Sequence, residues 1–183
     1  VGVHPQKIAL LDNFCWCSGK DAKRLYQLKM AAQACYDAAV VYETPFISGK
    51  DSMFNDFHGF DGNGNAISIS ALPTLLISSI GIVDNYHHIV SLDFKVPGDF
   101  IYVVGSTTSP FATVHLQKNK RIYEKLSACI QSDIIASCVS VSRGGLGIAL
   151  TKSAIGGMLG MDVTVSDETN LCSESNGRFI VSV

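Results

Sequence analysis

Thr44-Pro45-Phe46-Ile47-Ser48-Gly49-Lys50-Asp51-Ser52-Met53-Phe54-Asn55-Asp56 gathers glycine, hydroxyls, a cation and carboxylates behind a short apolar lead. Phe46 and Ile47 anchor a short strand, and Gly49 lets the backbone turn or approach a ligand closely. The residues after it can aim amides and side chains at an anion. A phosphate and a metal suit such a segment. A polar turn between two strands is the plainer reading, since glycine and aspartate are ordinary turn residues.

Outward from this stretch, the preceding chain sets up a strand and a long helix. Lys7 to Phe14 (KIALLDNF) is a compact apolar run closing on Asp12-Asn13, read as a buried strand with polar groups at its C-terminal end. Ser18 or Asp21 can cap the helix that follows. Ala22 to about Tyr42 is alanine-rich, with Leu25, Leu28, Ala32, Cys35 and Ala39 recurring at helical spacing. That helix is about 30 Å long, enough to cover a sheet, and Pro45 ends the pattern.

Beyond the stretch, Asp61-Gly62-Asn63-Gly64-Asn65 has the look of a calcium loop, but Leu72 stands where the closing glutamate is required, so a turn is expected. Phe57 to Phe60 and Ile67 to Ile69 then pair across it. Thr74 to Val83 alternates too little for a half-exposed strand and reads as buried on both faces. Residues 84–97, with His87-His88 and the turn Val96-Pro97-Gly98-Asp99, mark a boundary between two domains, 1–85 and 97–183. The two histidines read as a solvated pair rather than a metal site, because adjacent side chains diverge.

In the second domain, Phe100 to Gly105 reads as a strand, Ser106 to Pro110 as a loop and Lys118 to about Ser137 as a helix. Ser142-Arg143-Gly144-Gly145-Leu146-Gly147 leads into a helix from Ile148 to about Leu159. Such glycines admit an anion at a helix N-terminus or permit close packing. Val163 to Val165 and Arg178 to Val183 read as short strands. The expected fold class is α+β: a mixed β-sheet with helices on one face, followed by a smaller α/β domain.

Composition narrows the function. The chain has 183 residues, 47% of them hydrophobic, with 14 basic and 16 acidic side chains and a formal charge of −2. That balance lacks the basic field of a nucleic-acid binder, and no apolar run approaches the roughly 18 residues of a membrane span. The six cysteines are scattered, and Cys15-Trp16-Cys17 lacks the second pair of a zinc site. Reduced thiols in a cytoplasmic protein are expected. The opening at Val1 and the apolar close suggest a piece of something longer.

The combination ALLDNFCW, TPFISGKDSMFND, PTLLISSIGIVDN, GGLGIALTKSAIGG and SESNGRFIV resembles phosphoribosylformylglycinamidine synthase, in the second half of its synthetase subunit. The glycine stretch is shared with aminoimidazole ribonucleotide synthetase and selenophosphate synthetase, so an aminoimidazole ribonucleotide synthetase-like architecture is implied. The resemblance implies an ATP-dependent ligase of purine biosynthesis that converts formylglycinamide ribonucleotide and glutamine-derived ammonia to the amidine. It assigns Asp12 and Gly49 to ATP and Ser52 to substrate; by their own chemistry Lys50 can join the ATP site by neutralising phosphate charge, and Asp51, Asn55 and Asp56 can hold a magnesium ion. ATP and Mg2+ are the implied cofactors. The remaining half of the synthetase and a glutaminase domain or subunit are the implied partners. Family members pair their nucleotide-binding domains through sheets, so self-association of an isolated half is expected.

Three departures stand out. Lys50 occupies a place where many relatives carry a magnesium-binding asparagine, and an ammonium cannot ligate a cation. Arg143 replaces an aspartate, and a glycine-rich piece is missing around Thr108 to Gln117. None of the five histidines matches the family's catalytic motif, so no catalytic residue is assigned and the chain alone is expected to be inactive. A non-catalytic half-repeat used for assembly is the alternative, and a small-molecule kinase of the same fold a more distant one.

Overall fold

The computed structural model describes residues 2–108, 114–165 and 167–183, which form two compact units. The first is Gln6–Gly81; the second joins the N-terminal residues up to Pro5 to Ile82–Val183. The end of the expected 106–110 loop and much of the 108–117 departure lie outside the described residues.

In the first unit, β1 (Ile8–Cys15), α1 (Ala22–Tyr42) and β2 (Phe46–Ser52) form a strand–helix–strand crossover, and β1 pairs with β2 in parallel. Parallel neighbours need such a connection because a tight turn cannot reverse the direction twice. Asp21 caps α1 by accepting from the Lys23 amide at 2.8 Å. Glu43 ends the helix in the left-handed region, with its amide returning to the Ala39 carbonyl. β3 (Phe57–Phe60) and β4 (Ala66–Ile69) form a separate hairpin. Asp61 organises its turn by accepting from the Asn63 and Asn65 amides and from the Asn65 side chain.

β5 (Thr74–Gly81) pairs antiparallel with β1, giving a mixed sheet in the order β2-β1-β5. The core of this unit is Phe14, Trp16 and Cys17, packed against Leu28, Ala31 and Cys35 of α1 and against Met53, Ala71 and Leu75. β5 is not buried on both faces as its apolar run predicts. It is an edge strand, only Leu75 is half-buried, and Leu76 and Ile80 are each 59% exposed. An apolar run marks a strand built to be covered, and the described residues supply cover on one side alone. β1 likewise buries only Phe14 fully.

In the second unit β6 (Ile101–Val104), β8 (Phe179–Ser182) and β7 (Ser137–Ser140) form an antiparallel sheet with β8 in the middle. Alternate residues face opposite ways. Ile180 and Val139 meet Leu146, Ala149 and Leu150 of α3 (Gly145–Gly157). Val181 and Cys138 meet Leu126 and Ile130 of α2 (Leu116–Gln131) on the other face.

Four sequence expectations change here. α2 ends at Gln131 rather than near Ser137, because Asp133 takes a left-handed φ of 56° and turns the chain toward β7. Ile134 therefore lies outside the helix and exposed, while Ile135 enters the core. α3 begins at Gly145, three residues earlier than its apolar pattern. Residues 163–165 form no strand. His88 is not simply solvated: its Nδ1 lies 2.7 Å from Asp133 Oδ1.

All six cysteines are free thiols. No helix among the described residues is long and apolar enough to cross a membrane.

Trp16 is the sole tryptophan and sits 6.0 Å from the Phe14 ring. Phe14→Ala empties that contact and is expected to destabilise the first unit by about 3 kcal/mol, read as an earlier urea transition in tryptophan fluorescence. Leu72→Ala, at an exposed position, shifts it by less than about 0.5 kcal/mol.

Candidate functional site

The register of β1 with β2 decides which polar groups meet. Asp12 lies opposite Gly49, Asn13 opposite Lys50, Phe14 opposite Asp51 and Cys15 opposite Ser52. Paired residues share a face and successive residues alternate. Phe14 packs on α1, so Asp12, Gly49 and Asp51 belong to the helix-facing side. Asn13, Lys50, Cys15 and Ser52 belong to the opposite side. Lys50 Nζ donates to Ser52 Oγ, as expected for neighbours two apart on one face.

Asp12 and Gly49 are fitted to each other. A Cβ on Gly49 would fall 1.8 Å from Asp12 Oδ1, so the carboxylate occupies the space that any other residue would need. Asp12 also lines a groove of about 540 Å³ between β1, β2 and α1, with Cys35, Tyr36, Val40 and Phe46 among its walls. Desolvation, and then the nearby Asp12 charge, push the Cys35 thiol above its ordinary value. Cys35 is therefore held as the protonated thiol near neutral pH.

The turn after β2 is held by its own polar groups. Asn55 donates from Nδ2 to the Ser52 carbonyl at 2.6 Å and the Trp16 carbonyl at 3.2 Å, and its amide also reaches Trp16 at 3.1 Å. These bonds close the ends of β1 and β2. Asp56 accepts from the Ser18 amide at 2.9 Å and the Ala71 amide at 3.0 Å, tying three segments together. Desolvation, the largest single influence on Asp56, pushes its carboxyl upward. The bonds from Ser18, Ala71 and Ser70, with His58 nearby, outweigh it and hold the carboxyl below its ordinary value.

Asn55 thus offers a cation only its carbonyl oxygen, whereas no hydrogen bond links the Asp51 carboxylate to another described residue. No group of three histidine, cysteine or acidic side chains capable of holding a metal occurs among the described residues. The structure brings Asp12 and Gly49 together, and Lys50 and Ser52 together, on opposite faces of one sheet.

At the second glycine stretch, the Gly144 amide donates to Glu174 Oε1 at 2.7 Å, so a carboxylate from the chain itself meets the start of α3. Gly145 approaches the Leu171 and Cys172 backbone so closely that a Cβ would lie 2.5 Å from the Leu171 carbonyl oxygen. Of the two readings of these glycines, close packing is realised. Sequence reasoning missed Glu174, although its place in SESNGRF was in view.

No family model matches the chain. It is 31% identical, over 96% of its length, to the phosphoribosylformylglycinamidine synthase subunit PurL of Lactobacillus acidophilus. By sequence, this chain is related to PurL. It spans about a quarter of that relative, 25% of its length. Among solved structures, Thermotoga maritima PurL complexed with ATP has a TM-score of 0.66 at 12% identity, covering 98% of this chain and 30% of that one. The PurLQS structure from Thermotoga maritima has a TM-score of 0.65 at 13% identity, covering 99% and 30%. The architecture is thus the α+β, aminoimidazole ribonucleotide synthetase-like fold of PurL.

Two outcomes follow from the geometry. Gly49→Ala is expected to cost about 1–3 kcal/mol in urea unfolding, and Asp12→Ala in the same chain to restore much of it, because the second change removes the clashing atoms. A carboxyl held low in the folded state stabilises it above the unfolded pKa, and the benefit fades as pH falls through the folded value. The stability gap between the wild type and Asp56→Asn should therefore be full near neutral pH and close progressively as the pH falls below the ordinary carboxylate range.

Proposed function

We propose that this chain contributes part of the nucleotide and substrate sites of an ATP-dependent carbon-nitrogen ligase of purine biosynthesis. The observation that carries the reading is the 31% identity to PurL over nearly the whole chain, joined to the fitted Asp12–Gly49 pair on adjacent strands. In the reaction, the amide oxygen of formylglycinamide ribonucleotide attacks the terminal phosphorus of ATP and ADP leaves. Ammonia released from glutamine then adds to the activated carbon, and phosphate departs to give formylglycinamidine ribonucleotide.

In this reading Asp12 and Gly49 serve ATP, the carboxylate accepting from nucleotide donors and the glycine keeping the backbone bare. Lys50 neutralises phosphate charge from the opposite face, and Ser52, within its reach, meets the substrate. Asp51 is the group best suited to magnesium, which commonly takes one or two carboxylates and completes its shell with phosphate oxygens and water. Asn55 adds at most one oxygen, and the ion would screen charge on the phosphates. The complete site needs the rest of the synthetase, and ammonia comes from a glutaminase partner. Self-association through uncovered sheet faces accompanies these contacts, in the cytoplasm. The PurLQS structure supports an assembly of several components for the relative.

A second reading is a non-catalytic half-repeat that serves assembly. It is favoured by the division of Asp12 from Lys50 and Ser52 across the sheet and by Glu174 meeting the start of α3.

Calorimetric titration of the chain with ATP, with and without magnesium, separates the two. Magnesium-dependent binding weakened about tenfold or more by Asp12→Asn supports the ligase site. A folded chain that binds no nucleotide favours the half-repeat. Synthesis of the amidine by this chain alone would contradict both.

A further inference from the structure

Among the described residues, four that are not glycine take a left-handed φ: Glu43, Phe54, Asp133 and Met158. Glu43 and Met158 cap the C-terminal ends of α1 and α3, and Asp133 directly follows the cap of α2, where a left-handed residue is an ordinary way to end a helix. Phe54, at φ 60°, ends no helix and lies in the turn after β2. A bulky side chain in that conformation is a backbone outlier, and it persists only where contacts on both sides fix the chain.

Those contacts are present. Met53 packs against the core of the first unit. Asn55 is pinned by its backbone amide to the Trp16 carbonyl at 3.1 Å and by its side chain to the Ser52 carbonyl at 2.6 Å. Between these two fixed neighbours the Phe54 ring is 61% exposed, belongs to none of the hydrophobic clusters and stacks on no other described ring. Glycine or asparagine would serve the same turn with less strain. The fold therefore gains little from the phenyl group, yet the strained turn holds it in one place.

The neighbouring residues give that place a chemistry. Lys50 Nζ donates to Ser52 Oγ on one face of β2. Ser52 is two residues from Phe54 and Lys50 four, so their Cα atoms lie within about 7 Å and about 14 Å of that of Phe54. A cation and a hydroxyl followed at this reach by an unstacked ring match the span from phosphate to base in a nucleotide. The ammonium suits the phosphate, and a flat apolar ring suits the face of a heterocyclic base.

We propose that Phe54 is the platform on which the purine base of a nucleotide stacks, with the phosphates directed toward Lys50. This rests on the nucleotide reading of Lys50 and adds to it the group that receives the base. The strained backbone keeps the ring in position before the ligand arrives, so little side-chain freedom is lost on binding.

Calorimetric titration of the full 183-residue chain with ATP and with inorganic tripolyphosphate, each in the presence of magnesium, tests the assignment. Phe54→Asn removes the ring and tolerates a left-handed φ. It is expected to weaken ATP binding about tenfold, to leave the affinity for tripolyphosphate unchanged, and to unfold at a urea concentration no lower than the wild type. Phe54→Tyr keeps the ring and should keep the ATP affinity. Equal ATP affinity in the wild type and Phe54→Asn, a matching loss for tripolyphosphate, a lower urea midpoint in Phe54→Asn, or loss of ATP binding in Phe54→Tyr overturns the stacking role and leaves the nucleotide reading in place. A folded wild type that binds no ATP overturns both.

Discussion

The parallel pairing of β1 with β2 rests on one steric fact: the residue opposite Asp12 can have no side chain. With Gly49 there, the carboxylate lies against bare backbone and the two strands keep their register. A slip by one residue would set Asp12 against Ser48 or Lys50 and would turn the remaining side chains of β2 to the other face. That register fixes which groups are neighbours. It leaves the groove beside α1 with a carboxylate among apolar walls, and it leaves Lys50 and Ser52 to the opposite surface.

The second unit handles its helix ends in two different ways. α3 meets a carboxylate from its own chain, so the favourable field at its start is already used. α2 has no acidic residue in its first turn and no side-chain cap bond. Arg178, elsewhere in this unit, is buried against neutral oxygens rather than against a counter-charge. Burial also pushes the Arg178 pKa down, yet a guanidinium keeps its proton near neutrality.

Elements with a strong local pattern were legible in the residues. The α1 helix, the Asp61 turn and the hairpin around it follow from spacing and turn chemistry alone, while the structure selects Asp21 over Ser18 as the α1 cap. β7 was hidden because Ile130 and Ile134 continue a helical period through a left-handed Asp133 that no periodicity reveals. The burial of β5 was misjudged because an apolar run records what a strand can lie against and not whether that layer is present. In the candidate site, the grouping of Asp12 with Gly49 is what the family resemblance implies, and no residue pattern alone pairs them. The separation of Asp12 from Lys50 required the register, which depends on a bulge between Leu10 and Leu11. Asn55 and Asp56 resembled cation ligands in sequence because the groups that close a turn are the same oxygens and amides that hold a metal.

β5, the sequence TLLISSIG, has no lysine, glutamate or proline, and no described strand pairs with its outer edge. Natural edge strands commonly carry charge, a bulge or a proline to stop another chain from adding a strand. β2, at the other edge, carries Lys50 and Asp51. The two borders of one sheet therefore differ in colloidal behaviour. Unless β5 is shielded, concentrated solutions of this chain will be governed by a nucleated, strand-templated growth in which the rate rises steeply with protein concentration.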